Sequence, residues 1–220
     1  MFHVVNDILT SEEVGQLIAF CQAHQFADGK ISNEEFQLKN NLQSNMQDTS
    51  AQQASALVQN AFIRNQWVRE ICVPKALATP MISKYTPGMA YGEHVDTHIV
   101  AGNPPVRVDV SCTIFLNDPS KYDGGELVIR SADKEVKIKE SSGAAIFYPS
   151  THFHSVAEVT RGERLAAITF IQSHIRDAQK RSLLFELQDF LHQNGAGLPA
   201  DQIMKLEYVR TNLLRMWHED

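Results

Sequence analysis

RVDVSCTIFLN, residues 107–117, alternates without a break. Val108, Val110, Cys112, Ile114 and Leu116 fall on one face, and Arg107, Asp109, Ser111, Thr113 and Phe115 on the other. Side chains two apart share a face of an extended chain, so this is a strand period. It runs into Asp118-Pro119 and then Asp123-Gly124-Gly125, residue types that set the backbone angles of tight turns. Further short strands are expected at 126–130, 135–139, 144–148, 154–159 and 164–171, joined by polar or glycine-containing connections. Strands in succession without interleaved helices predict an antiparallel sandwich, barrel or jelly roll.

On either side of this β region the period becomes helical. Thr10 and Glu13 have capping-box spacing, and Val14, Leu17, Ile18 and Cys21 then share one face until Asp28-Gly29. Residues 48–72 carry a second helical pattern with Ala54, Leu57, Val58, Ala61, Phe62 and Trp67 inward, bracketed by Pro74 and Pro80. Beyond Gln172, Leu183, Leu184, Leu187, Phe190 and Leu191 form one stripe. After a break at 194–199, Ile203, Leu206, Val209, Leu213, Leu214 and Trp217 form another. The expected organisation is an N-terminal helical and mixed segment (1–75) packed on the core, a β domain (76–175) and a C-terminal helical region (176–220). The C-terminal stripes are too large to leave in water, which predicts packing on the core or a subunit interface, with a homodimer as the expected assembly.

Hydrophobic residues make up 43% and charged ones 21%, a balance that builds a packed core and not a disordered chain. The net charge of −6 and the lack of a Lys/Arg stripe exclude nucleic-acid backbones and anionic membranes as expected partners. The N-terminus lacks a secretion-signal pattern, and no apolar run reaches membrane-spanning length. Three widely spaced cysteines without a CxxC pair argue against a disulfide framework or a cysteine zinc site and for a reducing cytoplasm.

Chemistry concentrates in YGEHVDTH, residues 91–98. On a strand, His94 and Asp96 would present one nitrogen and one oxygen to the same point. A bare HxD is common by chance, and a solvated strand is its plain alternative. A second stretch, STHFHSV at 150–156, follows the apolar GAAIFYP and adds His152 and His154. One imidazole, one carboxylate and a distant imidazole form the three-ligand set of non-haem Fe(II) oxygenases, which leaves positions open on the far side. His152 would share a face with His154 on a regular strand. The local pattern leaves the two histidines open.

Arg164 opens a strand and shares a face with Ala166, Ile168 and Phe170. A guanidinium inside a barrel needs an anion, and a bidentate carboxylate suits it best; pairing with an internal Asp or Glu is the alternative. Tyr85 reads equally as a core residue or a cosubstrate contact. His98 is read as solvated or substrate-facing. The pocket walls are expected from 97–107 and the N-terminal segment, with Asn103 and Arg107 offering polar contacts at the mouth.

The lead-in YxxGxxYxxHxD at Tyr85, Gly88, Tyr91, His94 and Asp96, followed by His154 and Arg164, resembles the Fe(II)- and 2-oxoglutarate-dependent dioxygenases of the prolyl 4-hydroxylase type. The likeness is closer to the bacterial PKHD-type hydroxylases, an ascorbate-associated group that includes proteins linked to iron uptake. It extends to KNN at 39–41, FLNDPSKYDGGEL at 115–127, YPS at 148–150, VTRGER at 159–164 and IQSHIRDAQKRSLLFEL at 171–187, and so covers most of the chain. The resemblance implies a mainly β protein with flanking helices: a double-stranded β-helix (jelly-roll) core plus the C-terminal helical appendage. It implies that His94, Asp96 and His154 hold Fe(II), that Arg164 clamps the distal carboxylate of 2-oxoglutarate, and that Tyr85 reaches the same cosubstrate. The ten residues from His154 to Arg164 match the family's spacing, which favours His154 and leaves His152 at the rim or surface. It further implies O₂ as cosubstrate, L-ascorbate as cofactor, succinate and CO₂ as products, and hydroxylation of a small molecule or peptidyl substrate. A cupin-like oxygenase or isomerase would share the core and ligands but not need Arg164. A non-catalytic metal-binding module would supply a fourth protein ligand.

Overall fold

The strand Val110–Phe115 is buried along its whole length, on both faces. In the computed structural model, which describes residues 2–32, 38–131 and 134–219, it lies between two antiparallel partners, Ala145–Pro149 and Arg164–Ser173. His3–Val5 extends the sheet beyond Ala145–Pro149. Met81–Tyr85, Leu42–Gln43 and Ala27–Asp28 extend it on the other side, and Pro74–Leu77 pairs with the far end of Arg164–Ser173. Among the described residues this makes an eight-stranded sheet. A five-stranded sheet runs Lys134–Ile138, Leu127–Ser131, His154–Val156, Ala90–His94, Lys39–Asn40.

The alternation at 107–117 now has its physical reason. Val110, Cys112, Ile114 and Leu116 join one apolar cluster with residues of three helices: Val14, Leu17 and Cys21 from α1 (Ser11–Ala23), Val58 and Phe62 from α2 (Thr49–Arg64), and Val68 and Ile71 from α3 (Gln66–Cys72). Phe115, on the opposite face, joins a separate cluster with Leu127 and Ile129 of the smaller sheet. So one face carries helices and the other faces the second sheet, where Ser111 and Thr113 are also buried. Every buried side chain of this size removes apolar area worth about 1.5–3 kcal/mol from water.

The capping box forms as expected: Glu13 N donates to Thr10 Oγ1 at 3.3 Å, and Thr10 N donates to Glu13 Oε2 at 2.8 Å. Arg64, at the end of α2, donates to the same carboxylate at 2.6 Å and ties the two helices. The helix expected over 48–72 is in fact two. Asn65 interrupts it, because its side chain accepts from Trp67 N at 2.9 Å and Val68 N at 3.3 Å and caps α3 as a new helix.

C-terminal to the sheets, α4 (Ala178–Asn194) lies against α3, and α5 (Ala200–Trp217) lies against α4. Arg181 anchors α4. Its guanidinium is buried and donates to the carbonyls of Ile175 at 2.7 Å, Arg176 at 2.8 Å and Asp109 at 3.3 Å. Of the leucine stripe, Leu184 is buried while Leu183 is exposed. No residue of α5 is fully buried; Arg210 on it donates to Glu70 of α3 at 2.7 Å. No helix among the described residues is long and apolar enough to cross a membrane.

Candidate active site

His94 ends the strand Ala90–His94, His154 opens His154–Val156, and the two are register partners across the antiparallel pair. Their rings lie 4.2 Å apart between centroids. Asp96, just past the strand end, places Oδ1 3.9 Å from His94 Nε2 and Oδ2 3.6 Å from His154 Nε2. One ligand atom from each of the three lies within 4.8 Å of the others. The expected triad therefore comes together from two adjacent strands and the turn after one of them.

Both imidazoles are oriented from behind. His94 Nδ1 is 2.8 Å from the carbonyl of Gly92, and His154 Nδ1 is 3.1 Å from that of His152. Donation from Nδ1 leaves Nε2 as the lone-pair atom facing Asp96. The Tyr91 ring stacks on His94 at 3.8 Å, and Tyr148 meets His154 edge-on at 5.2 Å. Ser111 Oγ donates to Asp96 Oδ2 at 2.5 Å and lies 2.7 Å from Ser150 Oγ. Ser111 and Ser150 were not among the site residues expected from sequence. Ser111 lies on the polar face of the 107–117 alternation, a signal that could have found it.

Burial pushes the pKa of His94 down to about 4, and His154 beside it adds to that shift. At neutral pH His94 is thus the neutral base that a metal requires. Burial also raises the pKa of Asp96, against the opposing pull of His154 and the Ser111 hydrogen bond. A divalent cation between these groups would favour both ligand forms at once. Two imidazoles and one carboxylate on one side of a cavity suit Fe(II) with open positions, so the donor set fits that ion.

Arg164 opens the strand Arg164–Ser173 opposite Tyr85. It is 1% exposed, with its guanidinium 5.1 Å from the Tyr85 ring centre and 5.9 Å from that of Phe115. Its Nε and Nη1, and the Tyr85 hydroxyl, are buried without a hydrogen-bond partner among the described residues. Leaving such donors unpaired costs about 1–3 kcal/mol each, so they mark a place for an acceptor. Gly125, at φ +68, keeps room for the arginine, since a Cβ there would sit 3.0 Å from Arg164 Cδ. Orphaned donors from an arginine and a tyrosine fit one carboxylate, such as the distal end of 2-oxoglutarate.

A cavity of about 360 Å³ joins the two groups, lined from one sheet by His94, His154 and Lys39 and from the other by Arg164, Tyr85 and Gln43. The chain after Asp96 contributes Thr97, Ile99, Val100 and Ala101 and the N-terminal segment Lys39, Asn41 and Gln43, so only the first part of the expected 97–107 wall is found, and the two sheets supply most of the rest. Two expected mouth contacts are not found. Arg107 turns away to Asp109, at 2.8 Å, and the carbonyl of Ser173, at 3.1 Å; Asn103 is exposed and does not line the cavity. His98 is exposed outside the cavity. His152 is half-buried against Phe2, at 5.2 Å, and offers only its carbonyl to the site.

Residues 80–172 match the family profile of the 2OG-Fe(II) oxygenase superfamily. The chain is 42% identical to a PKHD-type hydroxylase of Sphingopyxis alaskensis, over 99% of each chain. Among solved structures it is similar to a Pseudomonas putida prolyl-4-hydroxylase, with a TM-score of 0.58 and 19% identity over 78% of this chain and 92% of that one. It is also similar to HygX from Streptomyces hygroscopicus, solved with nickel, 2-oxoglutarate and hygromycin B bound. There the TM-score is 0.55, with 15% identity over 77% of this chain and 82% of that one. At these identities the two structures establish the shared fold, a jelly roll with flanking helices.

Proposed function

From the premise that the chain belongs to the PKHD-type hydroxylases of the 2OG-Fe(II) oxygenase superfamily, we propose that His94, Asp96 and His154 hold Fe(II) while Arg164 and Tyr85 bind 2-oxoglutarate. The reaction is hydroxylation of a small organic molecule or a flexible peptide segment. The bound metal, with 2-oxoglutarate and O₂, supplies the oxidising chemistry and yields succinate and CO₂.

The chain's own residues bind and orient. Arg164 and Tyr85 take the distal carboxylate of the cosubstrate, which fixes its direction along the cavity. The carbonyls of Gly92 and His152 hold the two imidazoles with Nε2 inward. Ser111, backed by Ser150, occupies Asp96 Oδ2 and leaves Oδ1 as the ligand atom. Leu127, Val156 and Ile168 line the cavity with apolar surface and keep bulk water from the reacting atoms.

The observation that carries this reading is the pair of orphaned buried donors, Arg164 and the Tyr85 hydroxyl, in the same cavity as the triad. A cupin-like enzyme without 2-oxoglutarate has no use for them, and neither has a non-catalytic metal module. The family resemblance extends the proposal to L-ascorbate as reductant, a link to iron uptake and a siderophore-like or amino-acid-derived substrate. Three buried free cysteines support a reducing cytoplasm, and a homodimer remains the proposed assembly.

The test is Ni(II) and 2-oxoglutarate binding by single alanine variants, followed by succinate release with Fe(II). Metal binding is expected to fail for His94, Asp96 and His154 and to survive at His98 and His152. Loss at His152 with retention at His154 would overturn the assignment.

A further inference from the structure

We propose that a second copy of this chain docks on the outward face of α5, with the two helices antiparallel about Tyr208. This rests on the homodimer reading above and names the surface that makes the dimer.

α5 packs with one side. Ile203, Leu206, Leu213, Leu214 and Trp217 are half-buried and form the side turned to the rest of the protein, where α5 meets α4. Arg210, on the same side, donates to Glu70 of α3. At about 100° per residue, Tyr208 falls opposite that side, with Met204 and Met216 flanking it. Met204, Tyr208 and Met216 are 70%, 71% and 74% exposed. A helix that turns side chains this large into water, away from its support, has a face to be covered.

The charges on that face say what covers it. Asp201 lies seven residues before Tyr208 and Arg215 seven after, so the three share one stripe at heptad spacing. If a second copy is turned end for end about Tyr208, each residue meets the one equally far on the other side. Asp201 then faces the partner's Arg215, and symmetry makes the pair twice. Lys205 faces the partner's Thr211, a hydroxyl acceptor, and Met216 faces the partner's Ala200. Arg215 donates once to Asn212 Oδ1, at 3.1 Å, and has further N–H groups for a carboxylate. A parallel pair in register would instead set Asp201, Lys205 and Arg215 each against its own like charge, which repels. An unrelated partner gives no reason for opposite charges at equal distances from one tyrosine. An anionic membrane is matched no better, because exposed Asp201 and Glu207 balance exposed Lys205 and Arg215.

The size of the face sets the strength. α5 has 18 residues, a length of about 27 Å. One helix of that length offers less than the roughly 800 Å² per partner of a standard stable interface, so the dimer exchanges with monomer at micromolar concentration.

The test is sedimentation velocity of the full chain from about 1 to 200 μM. Wild type is expected to pass from monomer to dimer across that range. Tyr208→Glu sets two carboxylates against each other on the symmetry axis and is expected to weaken association by more than roughly tenfold. The side chain is exposed, so melting should stay unchanged. Asp201→Arg and Arg215→Asp each turn two attractive pairs into repulsive ones, and each is expected to weaken the dimer by roughly tenfold. The double variant restores both pairs and is expected to return association to within about threefold of wild type. A wild type that stays monomeric throughout would overturn this inference and the homodimer reading together. A dimer that survives Tyr208→Glu would overturn the surface and leave the homodimer reading standing. Single reversals whose losses add in the double variant would overturn the antiparallel pairing.

Discussion

Replacing Arg164 by methionine separates cosubstrate binding from folding. In the free protein the guanidinium is 1% exposed, with Nε and Nη1 unpaired among the described residues, so it contributes little to stability as it stands. Methionine keeps much of the volume between Tyr85 and Phe115 and removes the unpaired donors. The metal-free variant should therefore melt no lower than wild type, and a gain of about 1 kcal/mol would raise Tm by about 2–4 °C for a chain of this size. Binding behaves in the opposite sense. Losing a shielded, charge-assisted contact to a carboxylate costs about 2–5 kcal/mol, or roughly thirty- to several-thousand-fold in affinity. Calorimetry of 2-oxoglutarate into Ni(II)-loaded protein reads this directly. Thermal melts give a second readout: ligand at about a hundred times the wild-type Kd stabilises wild type by about 2.7 kcal/mol, or roughly 5–10 °C, and should stabilise the variant by less than about 1 kcal/mol, or roughly 2–4 °C at most. An unchanged 2-oxoglutarate affinity, with metal still bound, would refute the reasoning and return the cupin-like reading.

Ser111→Ala should weaken Ni(II) binding by roughly tenfold with little change in melting, because it frees Asp96 Oδ2 without touching a ligand; metal titration followed by melting checks both halves. Gly162→Ala should lower Tm by roughly 4–8 °C, since the residue holds φ +73 and a Cβ there would sit 2.2 Å from the Lys121 carbonyl oxygen. Arg181→Ala should cost about 2–3 kcal/mol by stripping the carbonyls of Ile175, Arg176 and Asp109 of their donor, read as the shift in urea midpoint. His3, tilted against the Phe185 ring at 4.2 Å, has its pKa lowered to about 4, chiefly by burial. Its folded value lies below the unfolded 6.5, so the stability it supports is present above pH 6.5 and is lost as pH falls towards 4. Discounted for partial exposure, this is at most about 2 kcal/mol, and His3→Phe should flatten the slope of stability against pH in that window.

The strand at 107–117 was legible because its two faces meet different surroundings. Val110, Cys112 and Ile114 must match the apolar helices, while Ser111 serves Asp96. The pair His94 and Asp96 was legible for a related reason, since residues two apart face one way; His154 was separated from His152 only by resemblance to the family's spacing to Arg164. What stayed hidden depends on contacts that no local period encodes. Lys39–Asn40 and Leu42–Gln43 are strands of two residues, too short to show alternation, and they exist only because each finds a partner strand. The break at Asn65 turns on a single side chain that caps a new helix inside a continuous apolar pattern. Arg107 shares its strand face with Asp109, whose carboxylate holds it at 2.8 Å, but the Ser173 carbonyl that also draws it from the mouth comes from a distant part of the chain.

Those two short strands bind to different sheets: Lys39–Asn40 to Ala90–His94, and Leu42–Gln43 to Met81–Tyr85. One short run of chain therefore ties together the two sheets that wall the cavity. A shift of register in either pairing would slide one wall of the cavity against the other, so the width of the cavity is set by a run of chain that lies far in sequence from His94, Asp96 and His154.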